Sequence, residues 1–273
     1  MACAEPFASD WSKGQKSSAR LVALGARDGS EPNRLRLAAA IEIALAPGAH
    51  TYWKAPGDAG IAPVVSFDGS SNLAAAELRF PLPRRFDEAG AIVFGYLGEV
   101  AFPIVLRPAD PSLPVRLAVK IDYAACDRIC VPEQAMLHLS LPVTGGDGPY
   151  DAPIRAAFVH VPVAADSAGG PELGLESIGY VAAPAGAPPQ IDIAVRAPAG
   201  AKQTDLFIAP PQGWFFEVGD PRRLDAAHVT FPVKIVEMPS DVGTESPAVD
   251  FVLAADGAGV EFSVRLDARR LKR

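Results

Sequence analysis

The chain has 273 residues, 49% of them hydrophobic, and a formal net charge of -7 with a pI of about 5.2. This acidic composition shows neither the basic footprint of a nucleic-acid-binding protein nor a basic amphipathic stretch for a membrane surface. No run approaches the roughly 18 apolar residues of a membrane span. The length predicts one or two domains, and the 27 prolines and 24 glycines favour many short strands over long helices.

The N-terminus shows the small-residue pattern that precedes a signal-peptidase cut, in Ala2-Cys3-Ala4. We therefore expect residues 1–14 to be the remnant of an export signal and an N-terminal tail. Cleavage after Ala4 removes Cys3 and leaves an even number of cysteines. Two alternatives stay open: Met1 is an ordinary start with Cys3 as a free thiol, or Cys3 is lipid-modified.

The first half of the chain predicts a β-sandwich. Between residues 34 and 46 apolar side chains occupy every second position, which places them on one face of a strand and Glu42 on the other. Further runs at the spacing of sandwich strands are 18–25, 63–67, 73–80, 99–107, 115–123 and 136–141. The stretch 144–150, rich in Gly and Asp, predicts a domain boundary.

The second half predicts one short helix, 151–158, and then another sandwich. Its strand-like runs are 175–182, 190–196, 204–208, 229–236, 248–254 and 260–266. This half has no cysteine, and His160 and His228 lie far apart in the sequence, so we assign it to scaffolding or partner recognition. The prediction is an all-β protein of two immunoglobulin-like β-sandwich domains, 15–147 and 148–273.

The most informative segment holds Cys126 and Cys130, separated by Asp127-Arg128-Ile129 and placed between two strand-like runs. An extended segment would hold their Cα atoms roughly 13 Å apart, whereas a disulfide tolerates about 4.4 to 6.8 Å, so the chain must bend for the sulfurs to meet. Closing so short a ring removes little entropy from the unfolded chain, equivalent to roughly 2 kcal/mol. The spacing therefore favours a redox-active pair over the two alternatives, a static disulfide and a metal site.

The residues around this pair resemble the N-terminal domain of the DsbD family of periplasmic thiol:disulfide interchange proteins, and most closely its ScsB-like branch. That branch is associated with copper tolerance and carries an additional β-domain. The resemblance covers roughly residues 15–145. The segments that carry it are PGAHTYWK (47–54), FDE (86–88), GYLGEVAFPI (95–104), KIDY (120–123), the two cysteines, VPE (131–133) and MLHLSLP (136–142).

The resemblance implies roles for individual residues. The second cysteine of the family's pair forms the mixed disulfide with the partner, so Cys130 would exchange and Cys126 would resolve. A cap loop with an aromatic side chain covers the pair in the family, and Phe94 and Tyr96 are the matching candidates here. Three further aromatic residues, Tyr52, Trp53 and Tyr123, are expected either to line the site or simply to pack within strands.

The resemblance also implies partners and a compartment. We expect a periplasmic thiol:disulfide oxidoreductase of the protein-disulfide reductase type, without a cofactor. Its partners would be a membrane-embedded or thioredoxin-like electron donor and a periplasmic protein with a disulfide. The best-known members have five residues between the cysteines, whereas this chain has only Asp127-Arg128-Ile129, and it ends at Arg273 without the family's membrane and thioredoxin-like domains. We therefore expect a detached module.

Charge near the pair acts in both directions. A thiolate is the attacking species, so Arg128 favours its formation while Asp127 and Glu133 oppose it. His138 follows on the alternating run after Cys130, and a Cys-Cys-His set is a conceivable Cu(I) site because soft thiolates select that ion. The competing hypothesis is thus a copper-binding or redox-inert interaction module, although the sequence predicts no metal.

Overall fold

The structure of the protein, a computed structural model, describes residues 7–25, 37–141, 148–165, 170, 172–182, 184, 186–239 and 247–271. The first elements along the chain are β1 (Ser12–Lys13), β2 (Ser17–Ala23), β3 (Ala38–Leu45), β4 (His50–Gly57), β5 (Val64–Ser66), β6 (Leu73–Leu78), β7 (Arg84–Glu88), β8 (Ala91–Leu97), β9 (Glu99–Pro108), β10 (Val115–Cys126), β11 (Cys130–Leu141) and α1 (Asp151–Val159). The later ones are β12 (Val163–Ala164), β13 (Gly174–Val181), β14 (Gln190–Arg196), β15 (Thr204–Ala209), β16 (Phe215–Val218), β17 (Arg222–Arg223), β18 (His228–Glu237), β19 (Ala248–Ala255), β20 (Ala258–Arg265) and α2 (Ala268–Leu271).

The strands up to β11 form two antiparallel sheets. One sheet has the order β1-β2-β3-β9-β6, and the other has the order β11-β10-β4-β8-β7, with β5 pairing against β10. Buried apolar residues of both sheets, among them Leu21, Ile41, Phe102 and Leu117, supply the core. The prediction of an all-β protein with immunoglobulin-like sandwich folding is confirmed.

Strand β3 shows where the alternation pattern is incomplete. Ile41 and Ile43 are buried and Glu42 is partly exposed, as predicted, but Ala38 and Ala40 on the opposite face are buried as well. These alanines belong to a small apolar cluster with Ile154 of helix α1. The helix thus covers part of a sheet face that the sequence pattern leaves open to solvent.

The later strands form two further sheets. Their orders are β12-β20-β19-β15 and β13-β14-β18-β16, with β17 pairing against β18. One core unites them, centred on residues such as Ile193, Phe231, Leu206 and Phe251. Each strand predicted in this half is present, whereas β12, β16 and β17 were not predicted.

The described residues fall into two compact units. The first comprises those up to Asp87 together with Val93–Val161, and the second comprises Glu88–Ile92 and those from Pro162 onward. The first unit therefore runs past the predicted boundary at residues 147 and 148, because Ile154 of α1 contributes to its core. Residues 1–6 of the predicted export remnant lie outside the described chain, and β1, at the end of the predicted tail, pairs with β2.

Candidate functional site

A long antiparallel hairpin brings the two cysteines together. Strands β10 and β11 pair in continuous register from Val115 with Leu141 to Cys126 with Cys130. The cysteines close the hairpin, with Cα atoms 4.0 Å apart and their sulfurs joined in a disulfide. The predicted bend is thus a turn of three residues, Asp127, Arg128 and Ile129, over which the chain reverses its direction from β10 to β11.

The two sulfur-bearing residues differ in exposure. Cys126 is completely buried, and its backbone pairs with His50 of β4, whereas Cys130 is exposed at the start of β11. Cys130 is therefore the accessible residue of the pair, whereas Cys126 has no exposed surface. The roles of attacking and resolving cysteine that the resemblance implies stay a prediction.

Tyr52 places its hydroxyl beside both sulfurs of the disulfide. This group donates a hydrogen bond to Cys126 Sγ at 3.1 Å and lies 3.4 Å from Cys130 Sγ. The Tyr52 ring packs on Gly60, where φ is +108° and an added Cβ would lie 2.3 Å from the ring. Gly60 is consequently more than a turn residue, because a side chain there would displace the tyrosine from the disulfide. The neighbouring Trp53 is also buried, with the Lys54 ammonium 5.3 Å above its ring.

His50 is a buried site residue to which the sequence analysis gave no role. Its Nε2 lies 3.4 Å from the Tyr52 hydroxyl, and its ring packs edge-on against Tyr52 and Phe86, with centroid distances of 5.3 and 4.9 Å. Both His50 and Phe86 lie in segments that carried the resemblance. The sequence did not reveal the position of β4, and it is this strand that places His50 beside Cys126.

Phe94 and Tyr96, the predicted covers of the pair, lie elsewhere in the first unit. In the β4–β8 register Tyr96 is opposite Thr51 and Gly95 is opposite Tyr52, and paired residues share a face, so Tyr96 projects away from the face of Tyr52. The Tyr96 hydroxyl donates to the Pro81 carbonyl at 2.8 Å, and burial raises the pKa of Tyr96 well above its usual value. Phe94 is on the same face of β8 as Tyr96, beneath the Arg85 guanidinium at 5.2 Å.

Tyr123 supports the hairpin from its buried face. Its hydroxyl and Ser17 Oγ are 2.6 Å apart, and burial raises the pKa of Tyr123 while the hydrogen bond with Ser17 opposes that rise. Opposite Tyr123 in the register lies Glu133, a buried residue whose carboxylate accepts the backbone N–H groups of Gln15 and Lys16. These contacts attach the segment before β2 to the cysteine hairpin.

The charges of the turn are partly compensated within the protein. The Asp127 carboxylate accepts hydrogen bonds from the Lys16 ammonium and from the N–H groups of Arg128 and Ile129. The Lys16 contact, followed by those two N–H groups, holds the pKa of the Asp127 carboxyl well below its usual range. Lys16 thus offsets the carboxylate that was expected to oppose a thiolate at the pair.

His138 lies far from the sulfurs. It is exposed on β11 and pairs with Ala118, eight residues along the strand from Cys130. At about 3.4 Å per residue the separation is roughly 27 Å, so His138 and the cysteines do not share an ion. The Cys-Cys-His arrangement considered from the sequence is therefore wrong.

Comparisons with known proteins agree with this site. Residues 31–142 match the family model described as the N-terminal domain of the thiol:disulfide interchange protein DsbD. This stretch of the chain, with its disulfide hairpin, is accordingly a DsbD-type N-terminal domain. A search of curated proteins found no match.

One solved structure extends the comparison over most of the chain, and a second match is too weak to do so. The N-terminal periplasmic domain of ScsB from Proteus mirabilis superposes with a TM-score of 0.68 at 20% identity, covering 96% of this chain and 99% of that one. The chain therefore has the fold of that ScsB domain. A conserved domain protein from Bacillus anthracis covers 95% of this chain and 89% of its own, at 6% identity and a TM-score of 0.25, too weak an overlap to define a shared fold. Among the described residues, no helix has both the length and the apolar character needed to cross a membrane.

Proposed function

We propose that the protein is a periplasmic thiol:disulfide exchange protein of the protein-disulfide reductase type, in which Cys130 exchanges with partners and Cys126 resolves. The observation that carries the proposal is the pairing of an exposed Cys130 with a fully buried Cys126 at the end of a DsbD-type hairpin. The periplasmic assignment is supported by the fold shared with a periplasmic domain of ScsB.

The exchange takes place in two steps. In the reduced protein the Cys130 thiolate attacks a disulfide of the partner, forming a Cys130–partner bond while the partner's other sulfur leaves as a thiolate. The Cys126 thiol then loses its proton and attacks Cys130 Sγ, which forms the Cys126–Cys130 bond and releases the partner's second thiolate. The pair has lost two electrons and two protons, and the partner has gained them.

The protein needs two kinds of partner for this cycle. A membrane-embedded or thioredoxin-like donor re-reduces the Cys126–Cys130 disulfide, and a periplasmic protein disulfide accepts the electrons. Both reactions are exchanges between sulfurs, so the cycle uses no cofactor. The second unit, with its own core and without a cysteine, serves as a scaffold or adds partner-binding surface.

The competing function is a copper-binding or redox-inert interaction module, which accounts for the same sulfur pair. Two adjacent thiolates are soft ligands that suit Cu(I), in keeping with the copper tolerance associated with the ScsB-like branch. Equilibration of the purified protein in glutathione or dithiothreitol buffers discriminates between these functions. A potential of roughly -120 to -270 mV supports exchange, whereas one below about -300 mV indicates a structural bridge.

The role of each cysteine is tested by trapping. With a disulfide-bearing partner, Cys126→Ser should accumulate a mixed disulfide through Cys130, because the sulfur that resolves the adduct is absent. Cys130→Ser should form little adduct, since Cys126 is buried. Capture by Cys126 in preference to Cys130 would reverse the assignment.

A further inference from the structure

The residues before β2 are fastened to the cysteine hairpin by Glu133. Its carboxylate, on a residue only 7% exposed, accepts the N–H of Lys16 at 2.7 Å and that of Gln15 at 3.0 Å. The carboxylate occupies space that Gly14 leaves open, since a Cβ at Gly14 would lie 1.7 Å from Glu133 Oε2. The backbone of Lys16 is thereby fixed beside the turn.

From this position Lys16 reaches both ends of the turn between the cysteines. Its ammonium donates to the Asp127 carboxylate, next to Cys126, and to the Ile129 carbonyl at 2.6 Å, next to Cys130. The Lys16 side chain is only 20% exposed although it is charged. One side chain thus joins two points of the turn in addition to the disulfide itself.

We propose that Lys16 is a positioning residue that holds the turn closed after the disulfide is reduced, so that the Cys126 and Cys130 sulfurs remain opposed. The inference deepens the proposed exchange function and rests on it. A closed turn lowers the entropic cost of re-forming the ring, because less backbone freedom is lost when the sulfurs join. Gly14, Gln15 and Lys16 precede residue 31, where the family match begins, so this support lies outside the matched domain.

The step that Lys16 assists is the resolving one. When Cys126 Sγ attacks Cys130 Sγ in the mixed disulfide, the new bond requires the same opposed geometry that the turn imposes. The partner sulfur leaves with the electron pair of its broken bond, and Cys126 has given up its proton. Lys16 contributes neither proton nor electrons.

The test is the equilibrium constant for closing the disulfide, measured on the full chain in glutathione buffers. Lys16→Met should lower this constant about tenfold, which makes the potential less negative by about 30 mV. Lys16→Arg, which keeps a donor cation, should stay within about threefold of the unchanged protein. Lys13→Met is the matched control, because Lys13 is an exposed lysine on the same segment and its removal should change nothing.

The direction of the shift separates positioning from a simple charge effect. A cation that only stabilised the thiolate would favour the reduced form, so its removal would make the potential more negative. Gly14→Ala displaces the Glu133 carboxylate without changing any charge, and it should shift the potential in the same direction as Lys16→Met. An unchanged potential in Lys16→Met, a shift to more negative values, or a shift in Lys16→Met without one in Gly14→Ala would overturn the inference.

These measurements need no protein partner, so the two proposals can fail separately. Thermal melts of each reduced variant confirm that the potentials refer to folded protein. If the unchanged protein forms no mixed disulfide, the exchange function fails whatever Lys16 does. If exchange occurs but Lys16→Met and Gly14→Ala have the same disulfide potential as the unchanged protein, only the positioning role of Lys16 is disproved.

Discussion

The Tyr52 hydroxyl donates a hydrogen bond to Cys126 Sγ at 3.1 Å, from a ring that is almost completely buried. When the disulfide opens, the same hydroxyl is placed to donate to a thiolate on Cys126. Hydrogen bonds to charged acceptors contribute more than those between neutral groups, about 1.5 to 3 kcal/mol. Tyr52 is therefore expected to favour the thiolate that performs the resolving attack.

Replacing Tyr52 by Phe keeps the ring and removes this donor, together with the contacts of the hydroxyl with His50 Nε2 and Cys130 Sγ. We expect the pKa of the Cys126 thiol to rise by about one unit, which corresponds to roughly 1.4 kcal/mol and a tenfold smaller thiolate fraction near neutral pH. The pKa is measured from the ultraviolet absorbance of the thiolate in a background that carries both Cys3→Ser and Cys130→Ser, so that Cys126 is the remaining cysteine. Tyr96→Phe is the control, since the Tyr96 hydroxyl bonds to the Pro81 carbonyl. If the pKa of the Cys126 thiol is the same with and without Tyr52→Phe, the Tyr52 hydroxyl does not stabilise the thiolate.

The difference in burial between the sulfur-bearing residues predicts different reactivity. In the reduced protein Cys130 should react with iodoacetamide at least tenfold faster than Cys126, because only Cys130 is exposed. The rates are compared in Cys126→Ser and Cys130→Ser, each also carrying Cys3→Ser so that a single cysteine remains, under native conditions. In denaturant the rates should converge. Faster modification of Cys126 in the folded protein contradicts the proposed order of attack.

The disulfide should contribute little to global stability. It closes a ring of sequence separation 4, whose entropic contribution is roughly 2 kcal/mol or less, while two sheets of apolar side chains supply the core. Chemical denaturation with and without reductant should therefore give unfolding free energies within about 2 kcal/mol of each other. Unfolding of the chain on reduction alone would instead identify the pair as a structural bridge.

Local patterns predicted the hairpin but not its surroundings. The alternation over 115–123 and 136–141 lies within β10 and β11, and the cysteine spacing required a turn. Strand β4 was missed because His50, Thr51, Tyr52 and Trp53 are all buried, which leaves no period-two pattern to detect. The position of His50 and Tyr52 at the sulfurs depends on that strand.

Contacts between distant parts of the chain could not be predicted from the sequence either. Lys16 and Asp127 are separated by 111 positions, so no local spacing relates them. The assignment of Phe94 and Tyr96 as covers relied on a loop match, whereas the side on which an aromatic ring lies depends on strand register. Phe86, which was not predicted as a site residue, packs its ring against His50 in the structure.

The second unit contains a histidine whose protonation should follow its acidic neighbours. His228 Nδ1 lies 2.7 Å from Asp225 and its Nε2 lies 3.3 Å from Glu176, and the Asp225 hydrogen bond raises the pKa of His228 above 6.5. Because the pKa of His228 is higher in the folded chain than in the unfolded chain, protonation of this residue stabilises the fold. The stabilisation is fully present when the pH is below the pKa of the unfolded state, and it disappears as the pH rises through the pKa of the folded state. NMR titration should give His228 a pKa above 6.5, and Asp225→Asn should lower it. A pKa of 6.5 or below would show that the pairing is absent in solution.

Truncation of the chain after Val161 or after Tyr150 tests where the first unit ends. Ile154 of α1 is buried against Val22, Leu24 and Ala40, so a chain ending at Val161 should fold, whereas one ending at Tyr150 loses that contact. Burial of one such side chain is worth about 1.5 to 3 kcal/mol, and the shorter chain should be less stable by that order. The chain ending at Val161 should keep the Cys126–Cys130 potential, because local geometry and charge set it, although partner affinity can fall.

Two measurements decide this last prediction: the potential in glutathione buffers and the unfolding free energy of both truncated chains. A potential that moves by more than about 30 mV, or about 1.4 kcal/mol for two electrons, would mean that residues after Val161 influence the sulfurs. Equal stability of the two truncated chains would mean that α1 contributes nothing to the first core. Since Lys16, Tyr52 and Glu133 all precede the cut, the expected result is an unchanged potential on a stable first unit.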